Sequence, residues 1–143
     1  MFATRYLPFI GRLMIGLPFV MSGISKLGAY GATTGMISAV GLPFPPLAFA
    51  VAVAVELGGG VLLLAGYRVR FVATAMAVFA LATAVSFHSN FADQNQMIHF
   101  MKNIAIMGGL LQVVALGGGK FSVDHLLARR SAVPADPALQ PAR

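Results

Sequence analysis

Residues 71–87 read FVATAMAVFALATAVSF. No charge interrupts the run, and its apolar residues do not alternate with polar ones, so it lacks the two-residue period of a barrel strand. Coiled as a helix it extends about 25 Å at ~1.5 Å per residue, close to the ~30 Å hydrocarbon thickness of a bilayer. A helix also satisfies its own backbone hydrogen bonds, which an open strand in lipid does not. The stretch reads as a transmembrane helix.

Working outward, three more windows have the same character: about 8–27, 46–66 and 99–116. The glycines and prolines inside them, such as Gly16, Pro18, Gly58 and Gly109, count less against helix in a membrane than in water, and they favour close helix packing. The whole composition agrees, with 58 % hydrophobic and only 10 % charged residues among 143, whereas soluble domains carry about a quarter charged residues. The expected fold is therefore all-α, a four-transmembrane-helix bundle occupying residues 1–127, in contact with the lipid bilayer. The net charge of +6 is spread in ones and twos at the ends of apolar runs, which excludes the basic stripe of a nucleic-acid binder. Absence of cysteine excludes thiolate ligation, disulfide exchange and covalent c-type haem attachment.

Seven bases (Arg5, Arg68, Arg70, Lys120, Arg129, Arg130 and Arg143) flank the N-terminus, the second connection and the C-terminus, against Lys26 and Lys102 at the other two connections. The positive-inside rule places both termini in the cytoplasm. The apolar start lacks a cleavage site after its run and reads as a retained span. The first connection, residues 28–46, is long enough for a short interfacial helix closed by the Pro-rich turn GLPFPP. Residues 128–143, rich in Ala and Pro, read as a disordered cytoplasmic tail.

The informative residues are the polar ones. Arg12, Gly16, Phe19, Gly23 and Lys26 recur at steps of four and three on one face of the first helix. Glu56 falls near the middle of the second span, where an ionised, lipid-facing carboxylate is costly, so it must be protonated, paired or turned inward. Counting depth along straight helices makes Arg12 its nearest partner and sets Gln112 level with Arg12. By the same count Lys26 and Lys102 lie further out. Residues 87–103, FHSNFADQNQMIHFMKN, read as an outer polar cap in which His88 ends the third helix and His99 opens the fourth, converging with Lys26 over a funnel towards Glu56. Lys102 shares a face with Gly109, whose missing side chain leaves room for a flat ring. Against these readings, interfacial histidines more often bond water than metal, and no ligand spacing is present, so no metal site is assigned. Asp93 serves equally as a turn residue, Lys26 and Lys102 as snorkelling anchors, and Arg12 with Glu56 as a register-fixing pair.

Taken together, RLMIGLPFVMSGISKL, GLPFPP, VELGGGVLLLAGYRVR, FHSNF and FMKNIAIMGGLLQVVALGGGKFSVD resemble the DoxX family of small four-helix bacterial membrane proteins. The family pattern falls on Arg12, Gly23, Lys26, Glu56, Gly59, Lys102, Asn103 and Asp124. The resemblance implies a multi-pass protein of the bacterial inner membrane, in a family that includes quinol oxidase and thiosulfate:quinone oxidoreductase subunits and accessories of oxidative-stress enzymes. From it we expect a quinone-linked subunit or accessory of a membrane redox complex, with a redox partner or a homo-oligomeric state. Glu56 would exchange the proton, and Lys102, His88, Lys26, Asn103 and Arg12 would line the cofactor site. A quinone is the expected cofactor and no covalent one is expected. The alternatives are a non-catalytic membrane scaffold or assembly protein, held together by Arg12, Glu56 and Gln112, and a small permeation or proton pathway.

Overall fold

The computed structural model describes residues 2–131, all of whose regular structure is helical. In chain order the elements are α1 (Phe2–Leu27), α2 (Tyr30–Ala39), α3 (Pro45–Val53), a π-helical turn (Ala54–Gly59), α4 (Gly60–Ala65), α5 (Val69–Phe87), α6 (Gln94–Leu116) and α7 (Val123–Ser131). Four segments are long and apolar enough to cross a membrane: Arg5–Leu27, Pro45–Ala65, Val69–Phe87 and Gln94–Leu116. The second is α3, the π-turn and α4 run together without a break. The spans form a ring in which α1 packs on the second span, that span on α5, α5 on α6, and α6 back on α1.

Much of each span faces outward. Only 6 % of the most apolar window of α6 is buried, against 39 % for α5, a distribution that suits a lipid solvent and would leave a soluble protein with large exposed apolar patches. The core joins Phe19, Leu63, Val69, Val72, Met76 and Leu110. Ala73, Ala77, Ala80 and Ala84, buried at steps of four and three, form the seam along which α5 meets its neighbours. Small residues matter here because, without a hydrophobic drive in lipid, helices associate by close van der Waals contact.

The same argument places α1 against the second span. A Cβ on Gly60 would stand 2.8 Å from Val20 Cγ2 and 3.2 Å from the Gly16 carbonyl. One on Gly23 would stand 2.8 Å from the Leu57 backbone nitrogen, so only glycine lets α1 approach the π-turn this closely.

Local signals explain the ends. Pro45 occupies the first turn of α3 after Phe44 in the left-handed conformation (φ 53°), and α2 lies in the first connection, packed on α3, with Thr33 and Ile37 buried. The fourth helix begins at Gln94 rather than near 99, because the Asp93 carboxylate accepts from the backbone N–H groups of Asn95 (2.8 Å) and Gln96 (3.3 Å) and caps it. His99 therefore lies in the second turn of α6 and does not open it. At the C-terminal end α7 runs to Ser131, so residues 128–131 of the expected tail are helical, and the rest of that segment lies outside the described residues.

Candidate functional site

Two buried charged groups organise the bundle, and they do not meet each other. Glu56, inside the π-turn, is paired with Lys26: the ammonium donates to Oε2 at 2.7 Å and Oε1 at 2.9 Å, and to Ser22 Oγ at 2.9 Å. The side chains are 9 % and 27 % exposed respectively. An ammonium has three N–H donors, so all three are filled. Each carboxylate oxygen keeps a lone pair free for another donor.

This geometry corrects the expected Arg12–Glu56 pairing. Equal rods with aligned ends would set Arg12 nearest to Glu56 in depth. In the structure α1 stops beside the π-turn, while α3 continues past it alongside α2, where Tyr30 meets Phe49 edge-on at 4.8 Å. Lys26, in the last turn of α1, thus arrives at the level of Glu56.

Arg12 serves the opposite end. It is fully buried, and its guanidinium donates from Nη1 to the carbonyls of Leu63 (2.8 Å) and Leu64 (2.9 Å), and from Nη2 to the carbonyl of Phe121. Carbonyls near a helix C-terminus lack intrahelical partners, and Arg12 supplies donors to those ending α4 while tying in the strand of chain that follows α6. Leu63 lies seven residues beyond Glu56, about 10 Å along a helix axis. Asp124 completes this end, accepting from the backbone N–H of Arg68 (2.7 Å) and Val69 (2.9 Å) at the start of α5. Gln112, expected beside Arg12, is exposed and makes no hydrogen bond among the described residues.

The outer cap is only partly assembled. His88 Nδ1 is 2.9 Å from Gln96 Oε1, and the His88 ring stacks on His99 with centroids 5.0 Å apart. Asn103 donates to the His99 carbonyl at 3.1 Å, within its own helix. Lys102 is exposed, with no hydrogen bond or ion pair among the described residues. The space expected beside Gly109 is filled: a Cβ there would meet Ile15 Cδ1 at 3.0 Å. Among the described residues no cluster of three or more His, Cys, Asp or Glu has the arrangement of a metal site.

The site that emerges is therefore Lys26, Glu56 and Ser22 on the π-turn. Ser22 was missed, although it lies four residues before Lys26 on the same helix face. The π-turn was missed as well, and Gly58–Gly60, beginning two residues after Glu56, are the signal that could have marked it.

Residues 7–89 match the DoxX family. The chain is similar to the inner membrane protein YqjF of Escherichia coli (strain K12), 35 % identical over 121 residues that cover 85 % of this chain and 92 % of that one. It is also similar to the inner membrane protein YphA of the same organism, 31 % identical over 128 residues covering 86 % and 91 %. No solved structure matches.

Proposed function

The chain belongs to the DoxX family and is a multi-pass integral protein of the inner membrane; from that premise we propose that it works as a quinone-linked subunit or accessory of a membrane redox complex, with Glu56 and Lys26 as its proton-exchanging pair. The observation that supports this most is an ion pair built inside a membrane span on a π-turn. Burying two charges costs several kcal/mol per ion, on the order of what their attraction returns, so an apolar pair of similar volume would hold the helices as well. Ionisable groups retained within a membrane mark proton and substrate paths, and π-turns recur at functional sites.

The chemistry follows from the free lone pairs on Glu56. A quinone head group, when bound, would supply the two-electron redox chemistry. Glu56 would accept a hydrogen bond from the head group through those lone pairs and would take up or return a proton there. Lys26, held against Glu56 while the carboxylate is charged, would offer its positive charge to the head-group oxygen once Glu56 carries the proton.

One observation favours the scaffold reading for part of the molecule. Arg12 spends its hydrogen bonds on three backbone carbonyls, an arrangement that joins α1, α4 and the chain after α6. We assign Arg12 to holding the bundle together and the Lys26–Glu56 pair to chemistry. Gently purified protein tests the reading: its lipid extract should contain quinone in a saturable ratio to protein, by mass and absorption spectra. An extract with no quinone, and none taken up on adding a short-chain analogue, leaves the scaffold reading in its place.

A further inference from the structure

We propose that the end of the bundle opposite the Lys26–Glu56 pair carries a site for the phosphodiester head group of an anionic phospholipid, built by Arg68 and Arg70 at the start of α5. A cavity of about 480 Å³ opens there, with Arg68, Arg70, Phe71, Gly118 and Asp124 among its lining residues.

Two features make it an anion site. Both guanidiniums are largely unspent: Arg68 lies over the Tyr67 ring at 5.8 Å, and Arg70 makes one long hydrogen bond, 3.4 Å, to the Ala115 carbonyl. No ion pair neutralises either among the described residues. Asp124, the acid in the lining, has its two oxygens occupied by the backbone N–H groups of Arg68 and Val69. It thereby fixes the turn that presents the arginines and leaves their forked donors for a ligand, and guanidinium forks match phosphate oxygens in pairs. Arg68 is held in a left-handed backbone conformation (φ 44°), which non-glycine residues adopt only when their surroundings enforce it.

Position and lining select a lipid. A helix of the length of α5, 19 residues, covers about 28 Å and matches the hydrocarbon thickness, so Arg68 and Arg70 stand at head-group level. Phe71 continues from the cavity along the span and is 76 % exposed, an apolar wall suited to an acyl chain and of no use to a free anion. Lys120 lines an adjoining hollow that shares Gly118 and Asp124 with the first, adding a third cation.

The test is native mass spectrometry of the full chain in a neutral detergent, titrated with phosphatidylglycerol or phosphatidylcholine. The parent should retain phosphatidylglycerol in clear preference. The double variant Arg68→Asn, Arg70→Gln, in which Asn tolerates the left-handed backbone, should lose that preference by roughly fivefold per arginine removed. Arg70→Gln alone should lose about fivefold and carries the test if the double variant does not fold. Arg129→Gln with Arg130→Gln removes as much charge from α7 and should keep the preference. The proposal is overturned if the parent retains the two lipids equally, if the Arg68 and Arg70 variants match the parent, if the α7 variant loses as much, or if inorganic phosphate displaces the lipid at comparable concentration.

Discussion

Replacing Arg12 by Met keeps most of the stem's volume in the core and removes every donor of the guanidinium. Three carbonyls lose a partner: Leu63, Leu64 and Phe121. An unsatisfied buried polar group costs about 1–3 kcal/mol, but the Leu63 oxygen also accepts from the Gly66 N–H at 3.1 Å, so the three losses do not simply add. Against them stands the relief of no longer burying a charge, and the Nε of Arg12 has no partner to lose. The balance is a loss of about 2–3 kcal/mol, roughly 1 kcal/mol for each stranded carbonyl. Equilibrium unfolding of the detergent-solubilised protein, followed by circular dichroism, measures it. Arg12→Lys should recover less than half, because the compact ammonium lacks the width of the guanidinium fork that reaches Leu63, Leu64 and Phe121 together. Combining Arg12→Met with Glu56→Gln should give additive losses, since sites about 10 Å apart without shared partners do not couple by more than a few tenths of a kcal/mol. An Arg12→Met protein within about 0.5 kcal/mol of the parent, or strong coupling to Glu56, would show that these three bonds do not hold the bundle together.

Other substitutions probe the remaining links. Gly23→Val sets a Cβ 2.8 Å from the Leu57 backbone nitrogen; it should destabilise by about 1–3 kcal/mol and expose Lys26 to amine-reactive reagents, and an unchanged reactivity would show that close approach is not what forms the pair. Asp124→Ala removes the cap on α5 and should cost about 1–2 kcal/mol in the same unfolding assay, whereas Asp124→Asn should cost less. Lys102→Met should leave quinone uptake within a factor of about 2, since Lys102 is exposed and a snorkelling anchor contributes little; a tenfold loss would return Lys102 to the site. For orientation we propose both termini in the cytoplasm: cysteines introduced at the exposed Ser38 and Gln94 should react with an impermeant thiol reagent in sealed cells and one at Ser131 should not, and the reverse pattern would invert the topology.

The spans were legible because lipid leaves few choices: a run such as FVATAMAVFALATAVSF has one stable form at membrane depth. So was the importance of Arg12, Lys26 and Glu56, because a charge inside an apolar helix needs a partner whatever the fold. Their pairing was not legible. It depends on where α1 stops relative to the second span, and that stagger is set by Gly23 meeting Leu57 and by α2 packing on α3, contacts between residues far apart in sequence. Arg12 was harder still, because its partners are backbone carbonyls, which every residue carries and no sequence pattern marks. The polar run 87–103 misled for a simpler reason: its asparagines and glutamines read as loop, yet Asp93 caps a helix through them.

Whether Glu56 takes up the proton of a bound head group is tested by Glu56→Gln, because the amide keeps the volume and some hydrogen bonding while removing the proton site. Stopped-flow measurement of proton exchange with a pH dye, on the protein in nanodiscs mixed with a short-chain quinol and its partner oxidant, reads the step itself. Saturable proton release is expected of the parent, slowed at least tenfold in a Glu56→Gln protein whose circular dichroism shows it folded under the assay conditions. Equal rates in the two proteins, or no saturable release by the parent, would contradict proton uptake by Glu56.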